Sequence, residues 1–319
     1  MKPPVSAVIV NYNGKEVIGG AIKALEEQIC KNIEIFVVDN NSADGSAEFI
    51  KKNFRNVKLI QNSKNLGYSG INAALKHCKG DYIFFTNNDI FLEKECIKKL
   101  VECLENDDNA GIACPKVVNY FDKTMASCGT WLSRSFYNGH FKCEKDCKKE
   151  IPYMGIGLIR KEIAEKFGYI FDSEYFIYAE DVDLGMRARL LGYKAMHIPD
   201  AVLYHMHQHT AKKSMKWKLT YVMERNLLTT FFKILSLKNI ILYLPYVIGM
   251  RIAAIFKDIL TLSFANAFAR VAAMLAVIVK MPKVLEKRID VQKLRIKGED
   301  FVLEVFTEKY LFSKDKVNV

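Results

Sequence analysis

The chain has 319 residues, half of them hydrophobic, which is enough for one large or two ordinary domains with a sizeable core. Its net charge of +11 is concentrated between His205 and Asp290, where 14 Lys and Arg face 4 Asp and Glu among long apolar runs. Basic and apolar residues together favour an anionic membrane surface and argue against nucleic acid as the partner.

The first residues lead directly into a strand-like segment, without the apolar core of a signal peptide, and this favours the cytoplasm. All eight cysteines lie between Cys30 and Cys147, many of them in predicted helices or strands, which argues against a secreted disulfide framework. The closest cluster is His140, Cys143 and Cys147 with Cys128 upstream. Its spacing fits no standard zinc pattern well, so reduced thiols are favoured over a zinc site.

Strand, polar loop and helix repeat four times in the first hundred residues. The strands are predicted over 5–10, 33–38, 57–60 and 82–86. Helices are predicted over 15–28 and 69–78, and another follows the polar loop after the second strand and ends at about residue 53. This alternation is typical of a doubly wound, mainly parallel α/β sheet. Polar loops follow three strands, at Asn11, Asp39 and Asn87, and ligands in such sheets bind outside the carboxyl ends of the strands.

The fourth strand ends in Asn87-Asn88-Asp89. A carboxylate beside two amides suits a hard divalent cation that also holds phosphate oxygens, although a plain turn would use the same residues. Asp39 closes the second strand, so its carboxylate could accept a hydrogen bond from a nucleobase that stacks on Tyr12; a turn or helix-cap role explains Asp39 as well. The sequence has neither a dinucleotide-binding G-x-G-x-x-G after the first strand nor a P-loop.

After Gly111 the alternation loosens, and residues 119–151 are predicted to be a loop or hairpin. Helices are predicted over 161–167 and from about 180 to 191, a strand over 194–198, and a turn at Pro199-Asp200. Glu180, Asp181 and Asp183 start the second of these helices, where the helix dipole favours carboxylates. They are either acidic capping residues or include a general base.

Three histidines, His205, His207 and His209, alternate after a short apolar run, so in a strand they would share one face. Imidazole and carboxylate are suitable ligands for manganese or magnesium. One of the three histidines is therefore a candidate to bind the metal together with Asp89.

The C-terminal part has uncharged runs of 12 and 11 residues, over 239–250 and 259–269, interrupted by Arg251 and Arg270. A spanning helix needs about 20 apolar residues, so helices that lie on a bilayer are predicted, with spanning helices or a buried helical hairpin as alternatives.

Six stretches of the sequence, in this order, resemble glycosyltransferase family 2, and especially its rhamnosyltransferase-like branch. They are VIVNYNG (8–14), VVDNNSADGS (37–46), NLGY (65–68), NND (87–89), GIGLIRKE (155–162) and YAEDVDLGMRAR (178–189). The resemblance covers about residues 5 to 210 and implies the GT-A fold.

The resemblance also implies roles for individual residues. Asp181 would be the catalytic base, and Glu180 and Gly155 would line the acceptor site. Asp89 would end the metal-binding element that Asn87 begins, and it would bind Mn²⁺ or Mg²⁺ together with His205, with His207 as the alternative ligand. The nucleotide would contact Tyr12, Asn13, Asp39, Asn65, Gly67, Asn87 and Asn88.

The implied reaction is inverting, metal-dependent transfer of a sugar, with rhamnose as one candidate, from a UDP- or dTDP-sugar to a hydroxyl of a saccharide or lipid-linked saccharide in cell-surface glycan synthesis. Residues 1–210 would form the GT-A domain, with a nucleotide-sugar half (1–115) and an acceptor half (116–210). Residues 211–319 would hold the enzyme, peripherally, on the inner face of the cell membrane. The alternatives are a catalytically silent carbohydrate-binding protein and a sugar nucleotidyltransferase, although the latter's G-x-G-T-R-like signature is absent.

Overall fold

The computed structural model describes residues 5–31, 33–127, 129–141, 148–153, 155–206 and 216–307, apart from the side chain of Lys216. The strands are β1 (Val5–Asn11), β2 (Ile33–Asp39), β3 (Lys58–Gln61), β4 (Tyr82–Asn87), β5 (Ile90–Leu92), β6 (Ala110–Asn119), β7 (Met125–Ser127), β8 (Thr130–Leu132), β9 (Asn138–His140), β10 (Lys149–Ile151), β11 (Gly157–Arg160) and β12 (Lys194–His205). The helices are α1 (Ile18–Glu26), α2 (Ser46–Asn53), α3 (Asn72–Leu75), α4 (Cys96–Glu105), α5 (Lys161–Phe167), α6 (Glu180–Leu190), α7 (Lys216–Ile234), α8 (Leu237–Leu260), α9 (Phe264–Val279), α10 (Met281–Lys293) and α11 (Glu299–Leu303).

One mixed sheet, with the strand order β10-β12-β6-β11-β4-β1-β2-β3, forms the frame of the protein. Strands β1 to β4 run parallel, β11 runs antiparallel between β4 and β6, and β12 is again parallel to β6. The predicted doubly wound, mainly parallel sheet is therefore confirmed. The register sets Asn11 beside Asp39 and Val10 beside Asn87, so the three predicted polar ends meet at one edge.

Hydrophobic layers cover both faces of this sheet. Successive side chains of a strand point to opposite faces, so Val37 belongs to the layer under α1 and α4, and Val38 to the layer under α3, α5 and α6. The residues predicted for the inner face of α1 are all buried: Val17, Ile18, Ala21, Ile22 and Leu25. Five described cysteines, Cys30, Cys78, Cys96, Cys103 and Cys114, lie buried in these cores. The predicted alternative of a zinc cluster falls largely outside the described residues.

Two predicted boundaries are wrong. The helix expected over 69–78 is a 3₁₀ turn, Gly67–Ile71, followed by the single turn of α3. The turn expected at Pro199-Asp200 is part of β12, whose register against β6 shifts between Ile198 and Val202. Proline cannot donate to a strand ladder, and a bulge is the usual place for it inside a sheet. Because β12 continues through this bulge, its end reaches β5.

Helix α7 shares a core with α6 and is joined to it by buried ion pairs. The Lys233 amine lies 2.8 Å from Asp172 and 2.5 Å from Asp183, and Asp183 also pairs with Arg187 at 2.8 Å. All four side chains are buried. The division at residue 210 remains a prediction, and these contacts show that the parts on either side share a core.

Helix α8 is longer than the sequence predicts. Arg251 interrupts the apolar run in the sequence, yet it is fully buried, donates to the Ser135 carbonyl at 2.8 Å and pairs with Glu224 at 3.1 Å. The helix therefore continues for 24 residues. Within the described residues α8 is long and apolar enough to cross a membrane, and α9 and α10 pass the same test only as a pair bent by 67°. The expectation that both apolar segments fall short is wrong for α8.

Candidate active site

Asp39 organises the first polar loop at the carboxyl edge of the sheet. Its buried carboxylate accepts hydrogen bonds from Asn11 Nδ2 at 2.8 Å, from Ser42 Oγ at 2.6 Å and from the Ser42 amide at 3.0 Å. A carboxylate can accept about four hydrogen bonds, so one position is left for a ligand N–H. The turn role that the sequence suggested is thus real, and it leaves room for the nucleobase role. Tyr12 is half exposed beside this loop.

The loops after β1 and β4 are fastened to their neighbours by asparagine side chains. Asn13 Oδ1 accepts from the Ala43 amide at 2.8 Å, and Asn88 Nδ2 donates to Asn11 Oδ1 at 2.8 Å. A Cβ at Gly14 would lie 1.9 Å from Asn88 Nδ2, so this approach requires glycine. Asn13 and Asn88 shape the predicted nucleotide site, and their direct contact with a nucleotide remains a prediction.

The loop that contains Asn65 and Gly67 rests on the segment that leads into α6. Asn65 Oδ1 accepts from the Gly67 amide at 2.9 Å, and the Tyr68 amide donates to the Phe176 carbonyl at 3.0 Å. Gly67 has a φ of +60°, and a Cβ there would lie 1.8 Å from the Phe176 carbonyl oxygen. The loop that contains Asn65 and Gly67 is therefore in direct contact with the segment that leads into α6.

Asp89 and His205 come together although 116 residues separate them. The antiparallel pairing of β5 with β12 sets Ile90 opposite His205, and Asp89 Oδ1 lies 3.2 Å from His205 Nε2. Neighbouring ligands of an octahedral ion lie about 3.0 Å apart when each metal–ligand distance is about 2.1 Å. The buried Oδ1 of Asn87 has no hydrogen-bond partner among the described residues. These atoms fit a hard divalent cation.

This pair does not by itself make a complete metal site. The described residues contain no group of three or more His, Cys, Asp or Glu side chains that could hold an ion. A diphosphate normally supplies further oxygen ligands to such a cation. His207, the alternative ligand, and His209 lie outside the described residues.

Glu180 and Asp181 form the first turn of α6. Burial raises the pKa of Asp181 to about 7, although the Val182 amide donates to its carboxylate at 2.8 Å. Burial and the neighbouring Asp181 raise the pKa of Glu180 well above its ordinary value. With a pKa near neutrality, Asp181 is able to take a proton from a hydroxyl. A Cβ at Gly155 would lie 3.7 Å from Asp181 Oδ2, so Gly155, a predicted acceptor residue, is adjacent to the predicted base.

Asp183 has a different role from Asp181. It is fully buried, and both of its oxygens are held by cations, by Arg187 and Lys233. The spacing of the three carboxylates in the sequence does not show which of them is the base. In the structure, the burial of Asp183 leaves it without access to a substrate.

Tyr68 is a site residue that the sequence reasoning missed. Burial, together with the carboxylates of Glu180, Asp89 and Asp181, raises its pKa. The Tyr68 side chain therefore lies near the carboxylates of Glu180, Asp89 and Asp181. An aromatic residue after Gly67 gave no signal of this, because the three carboxylates are distant in sequence.

The comparison with known families decides the class of the protein. Residues 6–168 match the family model described as glycosyl transferase family 2. The chain belongs to glycosyltransferase family 2. The enzyme class predicted from the motifs is thereby confirmed.

Relatives of this glycosyltransferase are distant in sequence. An uncharacterized glycosyltransferase of Haemophilus influenzae is 24% identical over 70% of this chain and 75% of its own length. The N-acetylglucosaminyl-diphospho-decaprenol L-rhamnosyltransferase of Mycobacterium tuberculosis is 23% identical over 66% of this chain and 78% of its own. Some relatives are longer, and the match covers 45% of an uncharacterized glycosyltransferase of Bacillus subtilis.

The fold has close counterparts among solved structures. A mannosyltransferase from Pyrobaculum calidifontis, in complex with GDP-Man and Mn²⁺, superposes with a TM-score of 0.56 at 17% identity, over 92% of this chain and 86% of its own. At this identity the likeness shows the fold, and the predicted GT-A type of sheet followed by C-terminal helices is confirmed.

Proposed function

We propose that this glycosyltransferase transfers a sugar, with inversion, from a nucleoside-diphosphate sugar to an acceptor hydroxyl, and that Asp181 is the base. The observation that carries the proposal is the pair of unequal carboxyls at the start of α6. Asp181, with its pKa raised to about 7, lies beside Gly155, while burial and the neighbouring Asp181 raise the pKa of Glu180 well above its ordinary value. A base is most effective when its pKa lies near the working pH.

The reaction proposed for these residues is a single displacement. The acceptor hydroxyl gives its proton to the Asp181 carboxylate as its oxygen forms a bond to the anomeric carbon. The bond from that carbon to the donor diphosphate breaks, and the electron pair leaves with the nucleoside diphosphate. Glu180, the neighbouring carboxyl in the first turn of α6, is proposed to line the acceptor site.

The donor end is assigned to the carboxyl edge of the sheet. The remaining acceptor position of Asp39 takes an N–H of the base, and Tyr12 stacks on its face. Asp89 and His205 would hold a divalent cation, Mn²⁺ or Mg²⁺, which neutralises charge on the leaving diphosphate when it is bound. A uracil or thymine base offers such an N–H, as the proposed UDP- or dTDP-sugar donor requires.

The acceptor is proposed to be a saccharide or a lipid-linked saccharide of the cell surface. The name of the mycobacterial relative describes a rhamnosyl transfer to a saccharide on a diphospho-decaprenol. Rhamnose is accordingly one candidate sugar for this chain.

Asp89→Ala should strongly weaken the binding of nucleoside diphosphate, because it removes the charged ligand from a hard-cation site. We expect titration calorimetry to show UDP or dTDP binding that requires Mn²⁺ or Mg²⁺ and is lost with EDTA. His205→Ala should act in the same direction, with a smaller loss. Equal affinity with EDTA and with manganese would remove the basis for a metal here, and a larger effect of His207→Ala would identify the other imidazole as the ligand.

An apolar surface on α8 and α9 is proposed to hold the enzyme on the inner face of the membrane. Its large side chains are exposed: Leu237, Ile241, Leu242, Ile252, Phe256, Ile259, Leu260, Leu262, Phe264, Phe268, Val271, Leu275, Ile278 and Val279. A contiguous exposed apolar surface marks an interaction site. The two arginines of the α8–α9 hairpin are paired, since Glu224, on α7, binds Arg251 and Arg270, and Arg270 also binds Asp258 at 2.8 Å.

Because these arginines are paired, α8 and α9 can lie against lipid without placing an isolated arginine there. A neutral set of two guanidiniums and two carboxylates adds no net charge to the surface. Lys238 and Lys257 are exposed on α8 and suit anionic headgroups. Residues 1–210 are thus assigned to catalysis, and residues 211–319 to membrane attachment as well as to the shared core.

Leu262→Glu and Phe268→Glu should together abolish sedimentation with anionic liposomes, because they place charges on the apolar surface. Phe121→Glu is the matched control, since Phe121 is equally exposed but lies outside the hairpin. High salt should reduce the binding of the unaltered enzyme only in part, because apolar insertion persists when charge is screened. Full release by salt would contradict membrane attachment through this surface. So would an enzyme that forms a dimer and does not sediment with liposomes.

A further inference from the structure

We propose that Asn226, on α7, is a positioning residue that holds the Glu180–Asp181 pair in its working orientation. Asn226 is fully buried. Its Nδ2 donates to the carbonyl oxygen of Tyr178 at 2.7 Å and to that of Ile177 at 3.2 Å. Both carbonyls belong to the segment that immediately precedes α6, so a helix of the C-terminal part reaches the catalytic turn.

The segment that Asn226 holds has an unfavourable backbone. Tyr178 has a φ of 65° and Ala179 a φ of 60°, and neither is a glycine. In this left-handed region the Cβ of an L-residue approaches its own backbone, so such residues persist only where their surroundings enforce the conformation. Ala179 directly precedes Glu180, and a change in its dihedral angles would redirect the first turn of α6 and with it both carboxyls.

The orientation of the Asn226 amide is fixed from its other side. Arg225 donates to Asn226 Oδ1 from Nε at 3.0 Å and from Nη2 at 2.7 Å. The same Nη2 donates to the Glu174 carbonyl at 3.1 Å. Since guanidinium groups can only donate, Oδ1 must face Arg225 and Nδ2 must face the two carbonyls. The side-chain amide of Asn226 thus links the 174–178 segment to α7, and it does so in a single orientation.

This inference rests on the proposed role of Asp181 as the base and adds the group that keeps it in place. Asn226 touches neither of the two carboxyls in the contacts described, so its effect on the reaction would pass through the turn. A misplacement of about 1 Å by a residue remote from the chemistry can cost about 10²-fold in rate. We therefore expect Asn226 to affect kcat and to leave donor binding unaltered.

The experiment is a double-mutant cycle between Asn226→Ala and Ala179→Gly in the full-length enzyme. Asn226→Ala should lower kcat by about 10- to 100-fold, with the dissociation constant of UDP or dTDP, measured by calorimetry with Mn²⁺, within about twofold of the unaltered enzyme. Glycine adopts positive φ without strain, so with Ala179→Gly already present the Asn226→Ala change should cost clearly less. Thr229→Ala is the control on α7, because within the described part of the chain Thr229 Oγ1 bonds only inside the helix, to the Arg225 carbonyl.

Several outcomes would overturn the inference. An unchanged kcat in Asn226→Ala, a loss equal to that of Thr229→Ala, or losses that multiply without any coupling in the double variant would each do so. Should Asn226→Ala fold too poorly to assay, the same cycle is run with Asn226→Ser, whose hydroxyl can donate one hydrogen bond. Full transfer by Asp181→Asn would instead overturn the base assignment itself, so the two failures are distinguishable.

Discussion

Asp181→Asn should lose most of its sugar transfer while it still binds the donor. The amide keeps the size of the side chain but cannot accept the proton of the acceptor hydroxyl, and loss of a general base costs about 10²–10⁴-fold in rate. Donor affinity should change little, because Asp181 lies beside Gly155 and on the proposed acceptor side. Single-turnover transfer and diphosphate calorimetry on the same preparation would measure both quantities.

The pH dependence of the unaltered enzyme provides a second measurement. The pKa of Asp181 is raised to about 7 by burial, and the base acts only when it is deprotonated. The value of kcat/KM should therefore rise with pH up to about 7 and then level off. Asp181→Asn should lose this acid limb together with its activity.

Asp183→Asn is the matched control for the base. Its carboxylate is fully buried and held by Arg187 and Lys233, so the variant should lose stability and not the acid limb of the pH profile. The base assignment is wrong if Asp181→Asn keeps most of its turnover while correctly folded Asp183→Asn has none. Formation of a nucleotide sugar from a sugar phosphate and a nucleoside triphosphate would support the nucleotidyltransferase alternative.

Lys233→Met should destabilise the whole protein by about 3–5 kcal/mol, the usual cost of removing one partner from a buried ion pair. The Lys233 amine serves both Asp172 and Asp183, and all three are buried. Burial opposes the ionisation of Asp172. Lys233 and Lys287 nevertheless hold the pKa of Asp172 well below its ordinary value. Without Lys233 these carboxylates would remain charged in the core with fewer partners.

Urea unfolding measures this effect, and Lys238→Met is the control. Lys238 is exposed on α8, where substitutions usually change stability by less than about 0.5 kcal/mol. Equal unfolding midpoints for the two variants would show that α7 is not part of the folded core. The same result would make a stable fragment ending at residue 210 possible.

Much of the fold and part of the site could be predicted from the sequence, because the relevant patterns are local. A buried strand that ends in a carboxylate or an amide marks the carboxyl edge of a parallel sheet, and Asp39 and Asn87 lie there in register with β1. The pairing of Asp89 with His205 was different. Periodicity left three histidines open, and only the family resemblance selected the one that β5 and β12 bring to Asp89.

The remaining features depend on contacts between distant parts of the chain. Arg251 looks like the end of an apolar segment until Glu224, on another helix, neutralises it. Pro199 predicts a turn from the sequence, but in the structure it lies in a bulge of β12. Tyr68 and Asn226 lie in ordinary sequence contexts, and their relation to Glu180 and Asp181 arises only when the loop after β3 and helix α7 pack against the start of α6.

Helix α7 forms polar contacts on two opposite sides, and this limits how chimeric enzymes can be built within this family. One side of α7 supplies Lys233 and Asn226 to the sheet domain, and the other supplies Glu224 to the α8–α9 hairpin. A hairpin exchanged alone would leave Arg251 and Arg270 without their shared carboxylate unless the recipient α7 offered one in the same place. Grafts that aim to retarget such an enzyme to another lipid surface should therefore carry Glu224 with the hairpin and leave the opposite side of α7 as the recipient has it.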